Sequence, residues 1–153
     1  IAANPDGSLS SVAVIQSPPA SPVGVEPTLR DHRIAIGSYE LADGRLQRTG
    51  QVEVDVQGER TEVPQLAQRP RPDLLLLNDD DLTFAKVRLD ERSLATVTEH
   101  FGLVSDPLAR ALLWGATWDM TRDGEIGTGT FLNLLVSGIA DEARLVSLND
   151  GDP

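Results

Sequence analysis

The spacing of apolar residues changes near residue 90, and this change limits the fold more than any other feature of the sequence. Before it, apolar and polar residues alternate: Val52, Val54 and Val56 share one face of an extended chain, with Glu53 and Asp55 on the other. After it, apolar residues recur every three or four positions, as on one face of a helix. This order predicts an α+β fold, an antiparallel β-sandwich followed by a short bundle of about three α-helices.

Turn signals divide the first part into short strands. Asp43-Gly44 and Gly58 are typical of tight turns between antiparallel neighbours. The run of four leucines at residues 74–77 has no polar alternation, which predicts a strand covered on both faces. The remaining predicted strands lie around Val12 and Val14, through Ile34 and Ile36, through Val52, at residues 61–63, and at residues 86–89 as the last strand.

Three helix starts follow residue 89. Asp90 precedes an apolar stripe, where its side chain can accept hydrogen bonds from the first turn of a helix. Asp106 and Pro107 mark a second start, because the residue before proline avoids helical angles while proline suits the first helical position. A third helix is predicted to begin near Thr128 or Thr130.

The second and third helices carry more apolar surface than one neighbour can cover, which is typical of the opening of a larger helical array. We therefore expect a piece of a longer chain, an expectation that a first residue other than Met also favours: a β-sandwich domain over residues 1–89 and the truncated start of a helical domain over residues 90–153. The apolar residues are Leu108, Leu112, Gly115 and Trp118 on one side of the second helix, Leu113, Ala116 and Met120 on another, and Phe131, Leu132, Leu135, Val136 and Ile139 on the third helix.

Composition excludes several classes of function. The formal net charge of -11 repels phosphate backbones and anionic membrane surfaces, so we expect neither nucleic acid nor a membrane as a partner. No cysteine is present, which excludes thiol nucleophiles, thiolate metal sites and disulfides. The sequence also lacks the apolar run of about 20 residues that a membrane-spanning helix needs. We expect a cytoplasmic protein.

Three consecutive carboxylates, Asp79, Asp80 and Asp81, are the first candidate site. They could bind Ca²⁺ and stabilise the domain, but the spacing of a calcium loop is missing, and a turn after the leucine strand is the favoured interpretation. We expect them to hydrogen-bond the backbone or to pair with Lys86 or Arg88.

A second acidic segment, at residues 119–124, resembles a calcium loop more closely. Asp119, Thr121, Asp123 and Gly124 come closer to that spacing, but Thr130 occupies the position of the bidentate glutamate and Arg122 adds positive charge. A helix that ends at an Asp-Gly turn is favoured.

The histidines and tryptophans are the other candidates. His32 and His100 have no companion at the spacing of a zinc motif, so neither is predicted to be a metal ligand. Trp114 and Trp118 lie at helical spacing, and a core position is favoured over ligand stacking.

One long segment resembles a known family. Residues 78–125, NDDDLTFAKVRLDERSLATVTEHFGLVSDPLARALLWGATWDMTRDGE, resemble the junction between the middle β-domain and the C-terminal helical domain of the zinc aminopeptidase N family in its actinobacterial form. Residues 32–81 are similar to the β-domain itself. The ordered match comprises Asn78-Asp79-Asp80-Asp81, Lys86, Arg88-Leu89-Asp90, Arg110, Trp114 and Met120-Thr121-Arg122-Asp123.

The resemblance implies a parent enzyme that removes N-terminal residues from peptides with one zinc ion and a general-base glutamate. Its upstream catalytic domain would carry the His-Glu-x-x-His and Gly-x-Met-Glu-Asn motifs, and neither occurs in residues 1–153. We therefore predict no catalytic, cofactor-binding or metal residue here. Alanine at Asp80 or Asp81 is expected to cost stability and not zinc affinity.

The partners implied by the resemblance are the upstream catalytic domain and the downstream helical domain of the same chain, together with the parent's peptide substrate. Residues 1–89 would be a spacer, and residues 90–153 the first helices of the domain that closes over the substrate cavity. The alternative is a free-standing acidic β-sandwich module that binds another protein through its apolar helix faces.

Overall fold

A computed structural model describes residues 1–18, 24 and 26–149 of the 153-residue chain. Within that part, antiparallel strands are followed by three α-helices, which confirms the predicted α+β class. Two short 3-10 turns lie at Pro64–Leu66 and Phe101–Leu103. The elements are β1 Ala2–Ala3, β2 Leu9–Ser11, β3 Ala13–Ile15, β4 His32–Ala42, β5 Arg45–Val56, β6 Arg60–Glu62, β7 Leu74–Leu77, α1 Glu91–His100, α2 Pro107–Arg122 and α3 Thr128–Asn149.

The largest sheet contains three strands in the order β5, β4, β7, and both pairings are antiparallel. β4 and β5 form a long hairpin through the predicted Asp43-Gly44 turn. Asp43 has a φ of 50° and Gly44 one of 69°, as the central residues of a type I′ hairpin turn require. β3 pairs with β6 and β1 with β2 in two further antiparallel sheets.

β7 is buried on both faces, as the leucine run predicts. Leu75 faces the sandwich core, which the short strands and the β4–β5 hairpin also line, whereas Leu74 and Leu76 face the helical core. The sandwich core consists of Leu9, Val12, Val14, Ile34, Ile36, Val54, Val56, Val63, Leu66 and Leu75. The helical core consists of Tyr39, Leu46, Leu74, Leu76, Leu89, Val97, Phe101, Val104, Ala109, Leu113, Met120 and Leu134.

Helix α1 covers the edge of β7 that β4 does not pair. The Leu75 amide donates a hydrogen bond of 2.9 Å to the buried Ser93 hydroxyl, so this edge donor does not require a further strand. Ser93 in turn donates to Asp90. Asp90 also accepts from the amides of Arg92 and Ser93, which confirms it as the predicted helix cap. One capping carboxylate thus starts α1 and orients the hydroxyl that holds β7.

The prediction of a last strand at residues 86–89 is wrong. The segment has no strand pairing, and its alternation has another cause. Val87 and Leu89 pack against the helical core, whereas Lys86 and Arg88 point to the turn between α2 and α3. Alternating side-chain environments therefore produced a strand-like pattern without a strand partner.

The predicted helix boundaries are confirmed. Asp106 caps α2 through the Leu108 amide at 2.9 Å, with Pro107 in the first turn. α2 ends before Asp123 and Gly124, where Gly124 adopts the left-handed conformation at a φ of 79°.

The apolar surface of α2 and α3 exceeds what the described residues cover, as the sequence predicts. On α2, Leu113, Ala116 and Met120 are buried, whereas Leu108 and Trp118 remain exposed. On α3, Leu132, Val136 and Ile139 form an exposed stripe along the described part of the helix. No helix of the described residues has the length and apolar character needed to cross a membrane.

Candidate functional site

The buried carboxylate of Asp79 is the most constrained polar group of the described chain. Its side chain is fully inaccessible to water. The Tyr39 hydroxyl donates to Oδ1 at 2.5 Å, and Arg48 Nη1 lies 2.9 Å from Oδ2. A carboxylate loses its hydration when it is buried, and these two donors replace it.

The turn after β7 carries Asp79 back over the sheet. Asn78 adopts a left-handed φ of 58°, which reverses the chain at the end of the leucine run. Its side-chain amide donates to the Thr83 carbonyl at 2.7 Å and its carbonyl oxygen accepts from the Thr83 amide at 3.2 Å, so the turn is closed by one side chain. The Asp79 amide donates to the Ala35 carbonyl on β4 at 3.0 Å.

Gly37 makes room for this carboxylate. A Cβ atom at Gly37 would lie 2.2 Å from Asp79 Oδ2 and 2.8 Å from the Tyr39 ring, distances that atoms do not tolerate. The absence of a side chain at the centre of β4 is therefore required by the close approach of the turn to the strand.

Asp80 completes the network at the surface. Its Oδ2 accepts from Gln51 Nε2 at 2.8 Å, and its Oδ1 lies 3.0 Å from Arg48 Nη1. The Gln51 amide first, and then the Arg48 guanidinium, hold the pKa of Asp80 below its usual range. We call Tyr39, Arg48, Gln51, Asp79 and Asp80 the Asp79 network.

The contacts with Asp79 also shift the pKa values of its partners. Hydrogen bonds from Arg48 to Asp79 and then to Asp80 raise the pKa of Arg48. Burial raises the pKa of Tyr39, and donation to Asp79 raises it further. With its carboxylate inaccessible and both oxygens bonded, Asp79 is not exposed for contact with a substrate in this conformation. The arrangement is suited to holding the turn against β4 and β5.

The turn predicted at residues 79–81 is confirmed, but its predicted ionic partners are wrong. Asp79 and Asp80 pair with Arg48 on β5 rather than with Lys86 or Arg88. The pairing depends on the β4–β5 hairpin, which brings residues some 30 positions apart into contact, and no local spacing in the sequence signals it. The isolated Gly37 within a strand pattern was the available clue to a close backbone approach.

Lys86 and Arg88 instead join the turn between α2 and α3. Lys86 Nζ lies 3.1 Å from Asp123 Oδ2, and Arg88 Nε lies 2.6 Å from Glu125 Oε1. Arg88 also pairs with Asp123. The Lys86 hydrogen bond is the main reason that the pKa of Asp123 is lowered.

The second acidic segment forms the predicted helix end, and its carboxylates face protein cations. Asp119 pairs with Arg122 at 2.9 Å, and Asp123 with Lys86 and Arg88. Among the residues that the structure describes, no group of three or more potential ligands is arranged to hold a metal ion.

The two histidines lie in separate environments. His32 Nδ1 is 2.8 Å from the Thr83 hydroxyl, beside the turn after β7. His100 Nε2, at the end of α1, lies 3.8 Å from the exposed Glu99 carboxylate.

The two tryptophans differ. Trp114 packs edge-on against Phe101, with ring centroids 4.6 Å apart, and its predicted core position is confirmed. The core prediction for Trp118 is wrong, because 51% of the residue is exposed on the side of α2 that carries Leu108.

Comparisons with known proteins identify similar chains. The model of the ERAP1-like C-terminal domain matches residues 74–149. Over 143 residues, 92% of this chain, the sequence is 56% identical to aminopeptidase N of Streptomyces lividans, and the aligned part covers 17% of that protein. The chain therefore spans about a sixth of the length of the curated relative that it matches.

Alanine at Asp79 should destabilise the protein far more than alanine at Asp80. Asp79→Ala removes a buried carboxylate and leaves Tyr39 and Arg48 without their acceptor, so we expect a loss of about 3 kcal/mol in the free energy of unfolding. Asp80→Ala removes a half-exposed pair and should cost less than about 1 kcal/mol. Urea denaturation of both variants measures the difference; equal costs would show that the buried contacts do not stabilise the turn.

Tyr39 should resist ionisation as long as the protein is folded. Its pKa is raised above the ordinary value of 10.0, so its contribution to stability is present below pH 10.0 and is lost as the pH rises towards the folded-state pKa. The chain contains one tyrosine, so tyrosinate absorbance in an alkaline titration reports this residue alone. We expect tyrosinate to appear only with unfolding, monitored by circular dichroism. Titration near pH 10.0 in a folded protein would contradict the burial of this hydroxyl.

Proposed function

This chain belongs to the aminopeptidase N family, and we propose that it is a noncatalytic segment of a zinc-dependent enzyme that removes N-terminal residues from peptides. The observation that carries the proposal is the 56% identity to a protein named aminopeptidase N, which extends over 92% of the chain. The same alignment reaches only 17% of the relative, which supports a segment of a longer protein. The catalytic machinery would then belong to the remaining parent chain.

The described residues do not fit a zinc site. The carboxylates of Asp79, Asp119 and Asp123 face protein cations at 2.9 to 3.1 Å, and the two histidines lie in separate environments. No catalytic step is therefore assigned to this segment. Zinc, the general base and the peptide-amine site would come from the upstream catalytic domain.

The proposed role of the segment is to connect the neighbouring domains of the parent chain. Residues 1–89 would act as a β-sandwich spacer and residues 90–153 as the start of the C-terminal helical domain. β7 supports this role because its leucines contribute to both hydrophobic cores and because Ser93 ties its edge to α1. Packing of this kind would hold the sheet and the helices in one relative orientation, because a close-packed core resists small shifts of its elements.

The exposed stripe on α3 supports a downstream helical partner in the same chain. Leu132, Val136 and Ile139 follow one another at helical spacing, with exposures of 53%, 69% and 58%. A helix of the following array would bury them. We propose a cytoplasmic location for the parent.

The direct test is to capture the native protein from its source with an antibody against this segment. We expect an intact mass several times 16.5 kDa and release of N-terminal amino acids from peptides, because the segment would be part of a complete enzyme. A zinc chelator should abolish the release, and added zinc should restore it, which is the control for damage by the chelator.

A mass near 16.5 kDa without activity would contradict the proposal and favour the free-standing acidic module. The apolar faces on α2 and α3 would then bind a separate protein.

A further inference from the structure

An open groove of about 260 Å³ runs between residues 81–87 and helix α2. Its apolar lining includes Leu76 on β7, Val87, Leu112 and Ala116. Gly115 leaves the α2 wall open, since a Cβ atom there would meet nothing within 4 Å. We call this feature the α2 groove.

A fully exposed aromatic ring lines the α2 groove. Phe84 has a relative exposure of 104%, and Leu82, two residues earlier in the chain but outside the groove lining, exposes half of its surface. An exposed aromatic ring beside a concave, partly apolar groove is typical of an interaction site rather than of an ordinary surface.

The charge of the α2 groove favours a cationic partner. Asp81 and Asp119 both line it. Asp119 already pairs with Arg122, whereas Asp81 has no ion pair with any described residue; its carboxylate accepts only a long hydrogen bond of 3.4 Å from the Asn78 amide. The α2 groove therefore offers an apolar lining beside a carboxylate that is available to a lysine or arginine.

We propose that the α2 groove is the docking site for a segment of the remaining parent chain that carries an apolar side chain next to a lysine or arginine. This inference rests on the proposed function, and deepens it by naming the surface and the chemistry of the partner. The relative extends far beyond the 17% that this chain matches, so most of such a parent lies outside these residues. A second copy of this chain is a poorer occupant, because two molecules with a net charge of -11 repel each other.

The test places a photo-crosslinking residue, p-benzoylphenylalanine, at Phe84 in the full-length parent. The native side chain is fully exposed, so the larger ring does not disturb the fold. An equal mixture of isotopically heavy and light parent distinguishes crosslinks within one molecule from those between copies. We expect a crosslink within one molecule, to a peptide outside residues 1–153 in which an apolar residue adjoins a lysine or arginine.

Three further variants make the assignment specific. Gly115→Leu places a leucine side chain in the α2 groove and should prevent the partner's apolar side chain from entering. We expect the crosslink yield to fall by about tenfold or more, as when one buried apolar anchor of an interface is lost. Gly50→Leu, also at a glycine with open space but on β5, outside the groove lining and away from the α3 stripe, is the control and should leave the yield unchanged. Asp81→Asn should lower the yield, and added salt should lower it less in this variant than in the original protein. Melting temperatures of all three variants exclude unfolding as the cause.

Several outcomes would overturn the inference. These are a crosslink between heavy and light copies, a crosslink only to other proteins, no crosslink, a crosslinked segment without a cation, and a yield insensitive to Gly115→Leu. The intact mass of the same sample separates this failure from that of the proposed function. A mass several times 16.5 kDa without the internal crosslink refutes the docking site alone, whereas a mass near 16.5 kDa refutes both.

Discussion

The burial of β7 on both faces and along one edge is the constraint on which the rest of the structure depends. Its leucines face two separate cores, and the Ser93 hydroxyl binds the edge amide that β4 cannot reach. Burial of one leucine side chain stabilises a fold by about 2 kcal/mol, whereas an exposed ion pair contributes less than about 1 kcal/mol. Apolar contacts therefore provide most of the stability where the sheet meets the helices, and polar contacts determine how β7 and the turn after it align with the neighbouring strands.

The Asp79 network determines this alignment at the end of β7. The turn at Asn78 places a carboxylate where it reaches Tyr39 on β4 and Arg48 on β5, so three segments share one buried charge. A buried ion pair stabilises a fold little more than apolar residues of similar volume would, but its hydrogen-bond geometry allows few arrangements of the surrounding chain. Its position beside Gly37 fixes where β7 ends and where the chain departs towards α1. The spacer role proposed above would require this property.

The sequence predicted those features that depend on local patterns. The leucine run identified β7, Asp90 and Asp106 identified two helix starts, and Asp43-Gly44 identified the hairpin. It could not predict the partners of Asp79, because Arg48 comes into reach only through the pairing of β4 with β5.

Alternation was misleading at residues 86–89, where ion pairs to the α2–α3 turn replaced strand pairing. The division into domains at residues 89 and 90 stays a prediction. The α2 groove arises from the path of an irregular segment beside a helix, a feature that no periodic pattern encodes.

The most direct test of this account is the hydrogen exchange of the Leu75 amide, measured by nuclear magnetic resonance in the original protein and in Ser93→Ala. The account predicts strong protection in the original protein and a marked loss of protection in the variant, because the edge amide then loses its only acceptor among the described residues. Rapid exchange in the original protein, at the rate of an open sheet edge, would contradict the claim that α1 closes β7 and joins the sheet to the helices.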